Sequence, residues 1–132
     1  MNLLNNIKEN EGFRSEVYQD NLGFDTIGFG TKMPLDKDEA ELILKHRLNK
    51  KIKHLQKEKI FVVNLNNDKQ EVLYEMAYQL GVGGLLKFKR MWSALKSADF
   101  EEASKEMLDS RWARQTPARA KRLAERMRAS AV

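Results

Sequence analysis

Apolar residues recur along most of this chain at steps of three and four, the spacing of one helical face. Leu3, Leu4 and Ile7 mark such a face on a short first helix, and one further step of four lands on Glu11. Gly12 follows, where the left-handed conformation open to glycine can end a helix. Helical spacing then gives way: Val17 and Tyr18 read as a strand, Asp20-Asn21-Leu22-Gly23 as a turn, and Phe24 to Ile27 as the returning strand of a hairpin. Thr31 to Leu35 reads as a short connection. Asp36 with Glu39 forms a capping box ahead of a long helix from Lys37 to about Lys57, with Ala40, Ile43, Leu44, Leu48, Ile52 and Leu55 as its stripe.

Ile60 to Leu65 is a short apolar run, read as a buried connector. Asn66 or Asn67 caps the next helix, whose wide apolar face (Val72, Leu73, Met76, Ala77, Leu80) suits the centre of a bundle. Gly81-Val82-Gly83-Gly84 reads as a helix-helix turn, because a phosphate-binding loop needs a preceding strand and a Gly-Lys-Ser/Thr signature that are missing here. Leu85, Phe88, Met91, Trp92 and Leu95 form another stripe. Asp99 with Glu102 makes a second capping box, and Thr116-Pro117 starts a last helix with Ala120, Leu123, Ala124 and Met127 inward and fraying from Ala129 to Val132. No repeat or linker divides the chain.

Position suggests chemistry in the first of these segments. A carboxylate continuing an inward-facing row is partly buried, which disfavours ionisation and suits a proton donor near neutrality. Glu11 occupies such a position, whereas Asp20 sits in a polar turn and should stay ionised. Two carboxyl groups in such unlike surroundings form an acid and base pair. Thr26, on the returning strand, carries a hydroxyl suited to holding a water beside Asp20. Spacing alone leaves ordinary roles open: a solvated glutamate, an aspartate kept for its turn, a threonine kept for β-propensity.

Three blocks of residues narrow the choice. Glu11-Gly12-Phe13-Arg14, Tyr18-Gln19-Asp20, Gly23 and Thr26-Ile27-Gly28-Phe29-Gly30 form the first. Tyr78-Gln79-Leu80-Gly81 followed by Phe88 is the second, and Ser110-Arg111-Trp112-Ala113-Arg114-Gln115-Thr116-Pro117 with Ala118 to Arg122 the third. In order and content they resemble the signature of the phage-type (T4-like) lysozymes, the endolysin muramidases. The resemblance implies a single lysozyme-like α+β domain, mostly helical. A small β-hairpin lobe over about residues 12–34 would pack against a larger helical lobe of about 1–11 and 35–132, with substrate in the cleft between them.

It implies hydrolysis of the β-1,4 bond between N-acetylmuramic acid and N-acetylglucosamine in peptidoglycan glycan strands, with inversion. Glu11 would be the general acid, Asp20 the group that directs the attacking water, and Thr26 an aid in holding that water. Tyr78 and Gln79 would line the cleft and contact sugar, though Tyr78 reads equally well as core. Arg119 matches the family's arginine that pairs with the catalytic glutamate, against its ordinary reading as a solvated residue on a basic helix. This chain departs from better-known members in having Thr31 where they have histidine, and in lacking a longer β-rich segment before the connecting helix. Both departures bear on the outer sugar subsites.

Composition adds limits. A chain of 132 residues forms one domain with a small core, and without cysteine it has no disulfide framework. His46 and His54 lie eight apart without a third ligand nearby, so neither a metal nor another cofactor is expected. The net charge of +5 favours anionic polymers or lipid surfaces without conferring specificity. Lys45, Arg47, Lys50, Lys51 and Lys53 on the long helix read first as a solvated face. The start Met1-Asn2-Leu3-Leu4 lacks the pattern of a signal peptide, so the expectation is a soluble monomer made in the host cytoplasm and released through a holin, as the resemblance implies. Two other classes remain: a nucleic-acid binder using the Arg-rich last helix, and a membrane-active protein whose amphipathic last helix disrupts anionic lipid.

Overall fold

The structure, a computed structural model, describes residues 2–129. In chain order these form α1 (Leu3–Glu11), β1 (Arg14–Gln19), β2 (Asp25–Gly28), β3 (Thr31–Lys32), α2 (Lys37–Glu58), a 3₁₀ turn (Ile60–Asn64), α3 (Asn67–Leu80), α4 (Val82–Leu86), α5 (Lys89–Lys96), α6 (Phe100–Leu108), α7 (Arg111–Gln115) and α8 (Pro117–Arg128). The expected α+β class, mostly helical with a small antiparallel sheet, is what forms. Two compact units divide the chain, one up to Leu44 and one from Lys45.

In the first unit the Asn2 side chain caps α1 by accepting from Asn5 N–H at 3.1 Å. Gly12 ends the helix at φ 68° and ψ 162°, a conformation that side-chain-bearing residues avoid. The sheet has the order β1-β2-β3, with Tyr18 opposite Thr26 and Thr26 opposite Lys32. The third strand occupies what reads in sequence as a connection, because two residues are too few to show an alternation. The inward-facing row expected on α1 is not found: Leu3 and Ile7 are 65% and 44% exposed, and no residue of α1 is buried. Among the described residues of this unit Thr26 alone is buried, so the small sheet offers α1 little apolar surface.

The long helix begins with the expected capping box, Glu39 N–H donating to Asp36 Oδ1 at 2.8 Å and Asp36 N–H to Glu39 Oε1 at 3.0 Å. Its stripe is buried only toward the C-terminal end: Ile43 and Leu44 are exposed, Leu48 and Ile52 half-buried, and Leu55 fully buried.

The second unit is built around one core. Leu55, Val72, Leu73, Met76, Leu85, Met91, Met107 and Met127 are wholly buried, with Trp92 and Trp112 nearly so. Each such aliphatic side chain contributes about 1.5–3 kcal/mol through burial. Of the connector, Val62 is buried while Ile60 and Val63 stay exposed. Asn66 caps α3. The glycine cluster does not remain a turn, for Val82–Leu86 winds into the short helix α4, seating Val82 and Leu85 in the core. Only half of the second capping box forms, with Glu102 N–H on Asp99 Oδ1. Pro117 opens α8 as expected, but Thr116 does not cap it; its hydroxyl donates back to the Trp112 carbonyl at 3.0 Å. Ala129 is held, and the remainder of the expected frayed end, residues 130–132, lies outside the described residues.

Ala129 is held by Lys69, a buried lysine on the first turn of α3. Its Nζ donates to the Ala129 carbonyl at 2.7 Å, at the negative end of the α8 dipole, and lies over the Phe100 ring. Burial pushes its ammonium below the ordinary lysine value, against an opposing pull from Asp68. Lys69→Ala removes a buried stem together with its hydrogen bond and should cost about 2–5 kcal/mol in urea unfolding. Lys69→Met, which keeps the stem, should cost clearly less.

Candidate active site

The Asp20 turn supplies the first half of the site. The Asp20 carbonyl accepts from Gly23 N–H at 2.9 Å, closing a turn in which Gly23 has φ 84°. The Asp20 side chain divides its work between its two oxygens. Oδ1 accepts from Leu22 N–H and Phe24 N–H, both at 2.9 Å, which is turn chemistry. Oδ2 accepts from Lys32 Nζ at 2.6 Å. The two sequence readings of Asp20, turn residue and functional carboxylate, are therefore compatible.

Electrostatics follow from that geometry. The Lys32 ammonium and then the Phe24 N–H hold the Asp20 carboxyl below its ordinary range, with the Leu22 N–H adding to them and partial burial opposing. An ionised Asp20, as its turn position suggests, follows from these contacts. Lys32 is shifted up in return, chiefly by the Asp20 hydrogen bond, and by charge from Asp20, Glu11 and Tyr18.

Thr26 is fastened to the same peptide as Asp20. The Phe24 carbonyl accepts from Asp20 N–H at 2.9 Å and from Thr26 Oγ1 at 2.9 Å. With its one proton committed there, the buried Thr26 hydroxyl can meet a water only as an acceptor.

Glu11 approaches from the end of α1. Its side chain lies over Gly30, close enough that a Cβ built there would stand 2.6 Å from the Glu11 Cδ. Gly30 also has φ 72°, so both its conformation and its neighbour demand glycine. The partial burial expected for Glu11 is not found, since its side chain is exposed. Glu11 and Asp20 instead share one short piece of chain. The first lies against Gly30, just before β3, and the second is bonded by Lys32, within β3.

In the second unit, the two sequence blocks meet through their side chains. Trp112 Nε1 donates to Gln79 Oε1 at 2.9 Å, and the Trp112 ring meets Phe88 edge-on with centroids 6.2 Å apart. Tyr78 is 37% exposed, which removes the reading of it as core, and Lys51 Nζ stands 5.9 Å from its ring centroid. Arg119 Nε donates to Glu75 Oε2 on α3 at 2.8 Å.

Lys32 escaped the sequence reading, although its register opposite Thr26 places it on the same face of the sheet. Recognising a strand after Gly30 was the signal that could have found it.

The phage lysozyme family model matches residues 8–130. The chain is 30% identical to the pre-baseplate central spike protein Gp5 of Enterobacteria phage T4 over 93% of its own length, but it spans only 27% of that protein. It is 27% and 28% identical to probable T4-type lysozymes 1 and 2 of Dictyostelium discoideum, covering 89% of this chain and 88% of each relative. These alignments run over 154 and 149 positions, more than the 132 residues of this chain, so the relatives carry residues it lacks. With the family matched across nearly its whole length, the chain belongs to the phage lysozyme family of glycoside hydrolases.

Proposed function

We propose that this chain is a muramidase that hydrolyses the β-1,4 bond between N-acetylmuramic acid and N-acetylglucosamine with inversion, in lysis of a phage or prophage host. The observation that carries this reading is the convergence of Glu11, lying against Gly30, and Asp20, bonded by Lys32, on one short segment, with Thr26 held beside Asp20 through Phe24. Glu11 donates its proton to the glycosidic oxygen as the bond to the sugar anomeric carbon breaks. A water gives one hydrogen bond to Thr26 Oγ1 and another to Asp20, leaving its lone pair to attack the opposite face of the sugar. Asp20 takes the proton, which must go to Oδ2 because Oδ1 already serves two backbone donors. An inverting pair of this kind stands roughly 6.5–9.5 Å apart, enough to admit the water. Tyr78 and Gln79 contact sugar in this reading, and release from the cytoplasm depends on a holin.

The two binding-module readings are less well supported. The apolar face of α8 (Ala120, Leu123, Ala124, Met127) is packed in the core rather than available to lipid. Arg119 and Arg126 on α8 are engaged by Glu75, Asp68 and Glu71. Among the described residues no helix is long and apolar enough to cross a membrane.

Digestion of purified peptidoglycan tests the reaction class: new muramic acid reducing ends are expected, without new free amino groups. The opposite result would mark an amidase or peptidase. Gly30→Ala tests the geometry, because its Cβ must push the Glu11 carboxyl aside. Displacement of a reacting group by about 1 Å can cost on the order of 10²-fold, and we expect a loss of that size in reducing-end release.

A further inference from the structure

We propose that Lys32 is a positioning residue for Asp20: it aims the reactive oxygen of that carboxylate and sets how far into acid the enzyme keeps working. This rests on the assignment of Asp20 as the group that receives the proton of the attacking water.

The inference comes from the unequal occupation of the two Asp20 oxygens. Two backbone N–H groups fill the ordinary acceptor positions of Oδ1, so Oδ2 is left for chemistry, and Oδ2 is the atom that Lys32 holds at 2.6 Å. The contact is charge-assisted and fixes the carboxylate plane at its outer end, as the turn fixes it at its inner end. Its consequences oppose one another. The ammonium keeps Asp20 ionised in acid, where a free carboxylate would already be protonated and unable to act as a base. It also makes Oδ2 a weaker acceptor for the proton, since protonation leaves the ammonium without its counter-charge.

Glu11 at the end of α1 acts on Lys32 by charge, Tyr18 on β1 does so only as a phenolate and is neutral in acid, and the Phe24 ring lies 5.5 Å from the Lys32 Nζ. Lys32 therefore sits within the field of both carboxylates while its own side chain remains largely exposed. Exposure makes the contact more sensitive to ionic strength than a buried pair would be.

The test is the pH profile of reducing-end release from purified peptidoglycan by wild type, Lys32→Met and Lys32→Arg, with Glu11→Gln as the inactive reference. Lys32→Met should displace the acid limb to higher pH, and Lys32→Arg, which restores the charge, should return it toward wild type. Added salt should move the wild-type limb in the direction of Lys32→Met. An unmoved limb in Lys32→Met overturns the proposal, as does a uniform loss at every pH, which marks a merely structural role. Titration of the Asp20 carboxyl carbon by NMR reads the same contact without turnover. Its midpoint should rise in Lys32→Met, and an unchanged midpoint overturns the proposal even in an inactive variant. If wild type releases no more ends than Glu11→Gln, the assignment of the reaction fails, and the carboxyl titration still decides the hold of Lys32 on Asp20.

Discussion

Glu11→Gln should release reducing ends from peptidoglycan at least about 10²–10⁴-fold more slowly than wild type at equal folded concentration. The amide has nearly the same shape as the carboxyl but no proton to give, so the departing sugar oxygen must leave as a poorer leaving group. The substitution is also structurally mild. Glu11 is exposed at the last position of α1, which Gly12 ends through a backbone bond from its own N–H to the Lys8 carbonyl. Circular dichroism and the unfolding midpoint should therefore match wild type, and the loss should fall on the rate. Undiminished clearing by this variant would remove Glu11 from the chemistry.

Asp20→Asn should produce a loss of similar order for a different reason. The amide oxygen can still accept from Leu22 and Phe24, so the turn is expected to persist. What disappears is a base for the water, and Lys32 loses its counter-charge. The variant separates the two tasks of this side chain: folding should survive through Oδ1 while hydrolysis fails through Oδ2. Unfolding of the sheet instead of loss of rate would mean that the turn is the whole purpose of Asp20.

The local elements that carry Glu11, Asp20 and Thr26 were easier to read from sequence than their burial. The end of α1 at Glu11 before Gly12, the Asp20–Gly23 turn and the returning strand with Thr26 follow from local rules, and each of these elements forms. Burial was harder to read. A stripe of Leu3, Leu4 and Ile7 states which residues share a face and not whether anything covers that face, and here they are exposed. The short strand Thr31–Lys32 was illegible because pairing with β2, rather than its own pattern, makes it a strand. Lys32 was missed with it. Lys69 was hidden by its residue type, since lysine is rarely buried and its partners, the Ala129 carbonyl and the Phe100 ring, are remote in sequence. Thr116 shows the limit of capping rules: its hydroxyl donates to the carbonyl of the preceding turn and caps nothing ahead of it.

The account turns on Asp20 readying a water rather than attacking the sugar itself. That difference is recorded in the configuration of the first product, before it equilibrates in solution. Proton NMR of a soluble β-linked glycan fragment, followed from the first seconds after enzyme is added, reads it directly. We expect the new reducing end to appear first as the α anomer. First appearance of the β anomer would contradict the account, because retention requires two displacements at the same carbon, through an intermediate on a protein carboxylate or on the sugar's own acetamido group.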